Sequence, residues 1–275
     1  MSDYLRPEDY EEPECLLDMS LPDDKTPTES VPLRRIIEKL DEYLTKEDYP
    51  AAERHLKYWA EEAKRGRDNG GLLSITNELM GLYRNAGRGE DALNAAEEGL
   101  ALAEKHGFTG SVTGATTLLN AATVCKAFGK PERAVELYSK AKEIYESHLS
   151  DNEYKLGGLY NNMALSLVDV KRYAEAFELY EKALAVMAKC ENCEAEQAVT
   201  CLNMANAVEA EKGLEEGAEE IYSLLEKAES FMNTETLPKV GYYSFYCDKC
   251  APTFEYYGWF GFAEELKQRA AEIRK

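Results

Sequence analysis

A small residue returns along this chain at a nearly constant interval: Ala52, Ala92, Ala134, Ala176, Ala218 and Ala263, spaced 40, 42, 42, 42 and 45 positions apart. A Gly or polar break precedes each, at Glu47, Gly87, Gly129, Lys171, Gly213 and Gly258. Before each break stands a larger apolar or thiol residue: Tyr43, Tyr83, Cys125, Leu167, Val208 and Phe254, with one extra residue in the turn after Val208. After the small residue comes a bulky one at Leu56, Tyr138, Tyr180, Tyr222 and, one position early, Leu266. A period of this length marks a repeated supersecondary unit. The apolar spacing within each unit is helical on both sides of the break, with no alternation of the kind a strand needs. Two antiparallel helices cannot bury their apolar stripes alone, so such units must stack and share one core. The recurrent Ala marks the closest approach of the paired helices, where a larger side chain would force the backbones apart.

The series of small residue, turn, Ala and bulky residue resembles the tetratricopeptide repeat, and the long interval resembles the kinesin-light-chain variety of that family. The resemblance implies an all-α, right-handed solenoid of about six helical hairpins over residues 31–275. The expected repeats are 33–70, 71–110, 112–152, 154–194, 196–234 and 238–275. Departures are visible: the proline that commonly ends the second helix is missing, and the bulky slot holds Ala96 in the second repeat and Lys267 in the last. The last copy therefore reads as a cap with a polar outer side.

Residues 1–30 carry ten acids and four of the nine prolines with little helical period, and read as an extended or disordered acidic arm. Ser30 is the expected N-cap of the first helix, with Pro32 in its first turn. The formal charge of −20 argues against nucleic acid, whose phosphates would be repelled. Residues 191–235 hold twelve acids against Lys212 and Lys227, which reads as a solvated acidic face or a dock for a basic partner. No stretch has the length and apolarity of a membrane span, and the N-terminus lacks the basic and apolar regions of a secretory signal, so a cytoplasmic protein is expected. Seven cysteines then read as reduced thiols.

Two C-x-x-C pairs, Cys190/Cys193 and Cys247/Cys250, could together supply four thiolates to a zinc ion. The repeat register opposes this. It puts Cys247 and Cys250 at core positions of a first helix, with Cys201 and Cys125 at similar ones, and sets Cys190 and Cys193 about two repeats away from the C-terminal pair. No metal and no other cofactor is expected; a variant site would add Cys15 and Asp18 of the arm to Cys247 and Cys250. His55, His106 and His148 stand on different second helices without nucleophile spacing, so no enzyme is expected. Between Tyr242 and Phe262 ten residues are aromatic. Phe254 and Phe260, the latter matched to Tyr173, are expected in the core. The remainder form either a thick end-cap or an exposed patch for a homodimer or a partner.

One slot of the first helix holds Asn120, Asn162 and Asn203 in successive repeats; Asn77 and Asn161 occupy the slot before it, and Asn206 lies nearby. Arg84 and Lys126 share another slot and add a cationic spot. Asparagine is a poor helix former, so its repeated use inside helices needs a compensating contact. The amide either pairs with the neighbouring repeat and fixes the stacking, or meets the donors and acceptors of a bound peptide backbone. In the family these positions line the concave face, where peptide capture is the common use. The sequence thus predicts a non-catalytic module that takes a protein or peptide partner on Asn77, Arg84, Asn120, Lys126, Asn161, Asn162, Asn203 and Asn206. The alternatives are a scaffold assembling through the aromatic C-terminal repeat, and a receptor whose own arm fills the groove until displaced.

Overall fold

A computed structural model describes residues 29–150 and 153–274. These fold into six helical hairpins: α1 Leu33–Thr45 with α2 Tyr49–Arg65, α3 Asn69–Asn85 with α4 Gly89–Lys105, α5 Val112–Ala127 with α6 Pro131–His148, α7 Tyr154–Asp169 with α8 Tyr173–Met187, α9 Glu194–Glu216 with α10 Ala218–Met232, and α11 Gly241–Tyr256 with α12 Phe260–Ile273. The architecture is an all-α helical-repeat solenoid. Within each hairpin the two helices pack together; α2, α4, α6 and α8 each pack on the next first helix, and α3, α5, α7, α9 and α11 are successive neighbours. No helix among the described residues is long and apolar enough to cross a membrane. The acidic arm, with Cys15 and Asp18, falls outside the described residues except at its last two positions.

Every break residue turns the chain in the same way. Glu47, Gly87, Gly129, Lys171, Gly213 and Gly258 all have positive φ, from 55° at Glu47 to 84° at Gly258. Glycine adopts this left-handed region without steric cost, whereas Glu47 and Lys171 occupy it against their own preference. In five hairpins the positive-φ residue lies four positions after the large core residue; in the fifth it lies five after Val208, because α9 runs one residue further before it kinks at Gly213.

That extra residue displaces the start of α10 by one position, and it corrects the sequence alignment of the fifth repeat. Ala218 is exposed and Gly217 is buried in the slot of the recurrent small residue. A Cβ on Gly217 would stand 2.7 Å from Val208 Cγ1 and 2.9 Å from the Gly213 carbonyl oxygen. Counted this way, the small residue lies nine positions after the large one in all six hairpins. The bulky slot is then Ile221, 4% exposed, and not Tyr222, which is 55% exposed. Tyr138, Tyr180, Leu56 and Leu266 fill that slot elsewhere as the sequence predicts.

The first repeat begins differently from expectation as well. Ser30 does not cap α1; Pro32 occupies the cap position, and its carbonyl accepts from the Ile36 amide at 3.1 Å. The entering chain is fastened by Asp68 instead. One oxygen of that carboxylate caps α3 through the Gly71 amide at 2.8 Å, and the other accepts from the Val31 amide at 3.0 Å. At the far end the aromatic run divides. Tyr243, Phe254 and Phe262 are buried, Tyr246, Tyr257 and Trp259 half-buried, and Tyr242, Phe245, Tyr256 and Phe260 exposed. Phe260, expected in the core, is 66% exposed. Its counterpart Tyr173 is half-buried and donates its hydroxyl to the Ala210 carbonyl at 3.1 Å.

Candidate functional site

The burial of α9 repeats that of α7 at an offset of 41 residues, so Asn120, Asn162 and Asn203 do share one slot, and all three are half-buried. In the second repeat that slot holds Glu78, a residue the asparagine pattern alone did not reveal but the register could have. The preceding slot holds Asn77, Leu119, Asn161 and Leu202. Side chains of these two slots lie where one first helix meets the next.

The α3–α5 junction opens into a depression of about 190 Å³ lined by Asn77, Glu78, Met80, Gly81, Arg84, Asn120 and Val124. Three of the sequence-predicted residues therefore converge there. Asn77 donates from Nδ2 to Thr117 Oγ1 at 3.1 Å, while its Oδ1 is buried with no hydrogen-bond partner among the described residues. Leaving a buried acceptor unpaired costs about 1–3 kcal/mol. Burial pushes the Glu78 carboxyl above the usual carboxylate range, and the Asp41 charge adds to the push; Glu78 forms no ion pair with any described residue. Arg84 hydrogen-bonds Asn85 Oδ1 at 3.2 Å from Nη2. Gly81 keeps the floor open, having no neighbouring atom within 4 Å of where a Cβ would stand. The result is one small pocket with an acceptor, a carboxyl, a guanidinium and the Asn120 amide around an apolar base of Met80 and Val124.

The other predicted residues are drawn elsewhere. Asn203 donates from Nδ2 to Asn161 Oδ1 at 3.1 Å across the α7–α9 junction. Lys126 pairs with Asp169 of the next repeat at 3.3 Å. Asn206 accepts from the Tyr257 hydroxyl at 3.0 Å, and the same hydroxyl reaches Glu209 at 2.8 Å. Asn162 has no side-chain hydrogen bond to a described residue and stays available. Positive charge on this face is confined to its N-terminal end, since the slot of Arg84 and Lys126 holds Val168 and Glu209 further on.

The cysteines sort by depth. Cys125, Cys201, Cys247 and Cys250 are buried, and burial pushes the Cys250 thiol up to about 12 and Cys201 to about 11. Cys193 is 8% exposed and Cys190 half-buried. The two C-x-x-C pairs are nearer than the repeat count suggests, because α9 packs on α11 and Tyr246 is close enough to both Cys193 and Cys250 for their charges to act on it. Even so, no group of three or more His, Cys, Asp or Glu among the described residues is placed to hold a metal ion. The histidines lie apart: His55 Nε2 meets the Ile36 carbonyl at 3.0 Å and its ring packs on Tyr43, while His148 contacts Ser147 and the Ile144 carbonyl.

Family profiles described as tetratricopeptide repeat match residues 71–147 and 157–189, the segments that hold α3–α6 and α7–α8. These segments carry tetratricopeptide repeats. Comparison with curated proteins found no match. Among solved structures the repeat protein is similar to BtubC (BKLC) from P. vanneervenii, with 24% identity and a TM-score of 0.65 over 73% of this chain and 81% of that one. It is similar to the TPR-like repeats of a putative kinesin light chain from Podosopora anserina, at 20% identity and TM-score 0.53, covering 74% and 94%. A Rap protein complexed with Competence and Sporulation Factor matches at 14% identity and TM-score 0.51, covering 88% and 74%. Likeness at these identities establishes the fold of the repeat protein. The fold suggests protein–protein interaction in general.

Proposed function

We propose that this repeat protein is a non-catalytic module that binds an extended segment of a protein partner along its first-helix face, seated on the α3–α5 pocket. The observation that carries the reading is the unpartnered, buried Oδ1 of Asn77 at a pocket it shares with Arg84 and Asn120. Rotation of the Asn77 side chain would bring its Oδ1, now shielded from solvent, to a backbone N–H of the partner, and the Asn120 amide offers both a donor and an acceptor to the same backbone. Arg84 would take a carbonyl or carboxylate. Asn162 extends the row by one repeat, whereas Asn161, Asn203 and Asn206 are engaged within the solenoid and serve its stacking. A structure of a similarly folded Rap protein holds a bound factor, which supports a binding role for such a solenoid.

The test is selection of peptides from a random displayed library on the immobilised chain, then affinity measurement on variants. Asn120→Ala and Arg84→Ala should each weaken the selected peptides about tenfold, the scale of one lost hydrogen bond to a charged or well-placed group. Unchanged affinity in both variants would place binding elsewhere. A second reading rests on Val240, Tyr242 and Phe245, which are 56%, 47% and 58% exposed at the start of α11. It assigns that aromatic patch to a homodimer, and a strictly monomeric mass at high concentration in sedimentation would remove it.

A further inference from the structure

The turn between α8 and α9 carries chemistry that peptide binding does not use. Cys190-Glu191-Asn192-Cys193 lies there, outside any helix, with Asn192 at φ 59° reversing the chain and Cys193 in the N-cap position of α9. A four-residue turn brings its end residues within about 7 Å, the separation a disulfide spans without moving the backbone. The two thiols already lie against each other. They differ in access: Cys190 is half-buried, and Cys193 is 8% exposed. Glu196 stands one helical turn into α9, close enough to the Cys193 thiol for its charge to act on it, and its Oε2 is buried without a hydrogen-bond partner among the described residues. Glu194 Oε2 is likewise buried and unpartnered, and Tyr246, Lys249 and Cys250 of α11 face the same cluster. The second C-x-x-C pair contrasts in every respect. Cys247 and Cys250 sit inside α11 with 0% exposure, closed to any oxidant in solvent.

We propose that Cys190 and Cys193 are a redox-active dithiol that closes to an intramolecular disulfide by exchange with a small-molecule disulfide such as glutathione disulfide. The Cys190 thiolate, its proton released to water, attacks one sulfur of glutathione disulfide. A Cys190–glutathione bond forms, the glutathione S–S bond breaks, and one glutathione leaves as its thiolate, which water protonates. Cys193 then loses its proton to water, and its thiolate attacks the Cys190 sulfur, releasing the second glutathione thiolate to be protonated in turn. The protein loses two electrons and two protons, and glutathione disulfide gains them as two thiols. Burial, with the Glu196 carboxylate second, pushes the Cys193 thiol up to about 12, so this second step is the slower of the two.

The experiment incubates the native full chain with glutathione disulfide, blocks remaining thiols by alkylation and maps peptides by mass. The expected product is a Cys190–Cys193 disulfide with the other five of the seven cysteines alkylated after denaturation. Cys193→Ser should stop at a glutathione adduct on Cys190, and Cys190→Ser should take up no glutathione. A stable glutathione adduct in the unchanged chain, or oxidation that maps to other cysteines, would overturn the dithiol.

Discussion

Asn203 and Asn161 hydrogen-bond across one repeat, Nδ2 to Oδ1 at 3.1 Å, with Asn161 only 8% exposed. The pair joins α7 to α9 where each contributes a helix that asparagine does not favour. A hydrogen bond of this kind contributes about 1 kcal/mol, but removing one partner strands the other and costs about 1–3 kcal/mol. Asn203→Ala should therefore lower stability by about 1–2 kcal/mol. The neighbouring repeats place Leu119 and Leu202 in the slot of Asn161, so the site accepts an apolar side chain of that size. Asn161→Leu combined with Asn203→Ala should be less destabilising than the sum of the two single changes. Denaturant unfolding of the four proteins of this cycle measures the coupling; strict additivity would refute the pairing.

Asn120 and Asn162 share a slot with Asn203 yet have no side-chain hydrogen bond to a described residue. Alanine is a better helix former by a few tenths of a kcal/mol. Asn120→Ala and Asn162→Ala should leave stability unchanged or raise it by about 0.5 kcal/mol, in contrast to Asn203→Ala. A loss above about 1 kcal/mol in thermal or denaturant unfolding would mean that these amides serve the fold.

Glu78 is the member of that slot whose position is costly. Its carboxyl is held above the usual range by burial, with repulsion from Asp41 second. Because the folded chain holds the Glu78 proton more tightly than the unfolded chain, ionisation opposes folding, and stability from this residue falls as pH rises through the folded value. Glu78→Gln should then raise Tm at neutral pH, and the gain should vanish below about pH 4, where the carboxyl is protonated in both states. Equal Tm at neutral pH would show that the carboxylate is already compensated. A destabilising group kept at a pocket fits a binding role better than a structural one.

On the opposite sign, Glu53 joins three elements. It accepts from Tyr83 at 3.0 Å, from Lys57 at 2.7 Å and from Arg88, whose guanidinium also lies over the Tyr83 ring. The Arg88 hydrogen bond, then that of Lys57, holds the Glu53 carboxyl at about 2. Here the unfolded chain binds the proton more tightly, so the stabilisation is present above the ordinary carboxylate range and is lost as pH falls toward 2. With Arg88 and Lys57 side chains 42% and 60% exposed, the contribution is about 1 kcal/mol rather than the full value of the shift. Glu53→Gln should remove about 1 kcal/mol at pH 7 and flatten stability between about pH 4.5 and pH 2. An unaltered pH profile in that variant would show the network to be inert.

Features differ in how far residue type alone reveals them, and the difference lies in how each is built. The six turns were readable because a left-handed residue, a large residue and a small one recur at fixed spacing, and steric requirements of that kind leave a mark in residue type. The α3–α5 pocket was readable in part: Asn77, Arg84 and Asn120 stood out by repetition, whereas Glu78, Met80 and Val124 belong to the pocket only because two helices meet there. Pairing was not readable. Nothing in residue type separates Asn161, buried against Asn203, from Asn162, one position on and unengaged; a rotation of one helical residue decides it. The approach of Tyr246 to Cys193 was missed for the same reason, since it depends on α9 packing against α11.

Gly217 shows how a single added residue can mislead an alignment. The interval of 42 positions points to Ala218, but the extra residue of α9 before Gly213 moves the close contact back by one, and Ala218 faces solvent. Gly217→Ala would push a Cβ to 2.7 Å from Val208 Cγ1, a buried branched side chain, and 2.9 Å from a backbone oxygen. Neither neighbour can yield freely, because Val208 is 0% exposed and the Gly213 carbonyl accepts from the Gly217 amide at 3.1 Å. Overpacking of this kind costs about 1–3 kcal/mol, and alanine is also a poorer N-cap than glycine, the position Gly217 holds at α10. Gly217→Ala should therefore unfold at lower denaturant by that amount, while Ala218→Ser changes stability by less than about 0.5 kcal/mol. Were the interval of 42 the true one, the order of the two effects would reverse, and equilibrium unfolding of the pair distinguishes them directly.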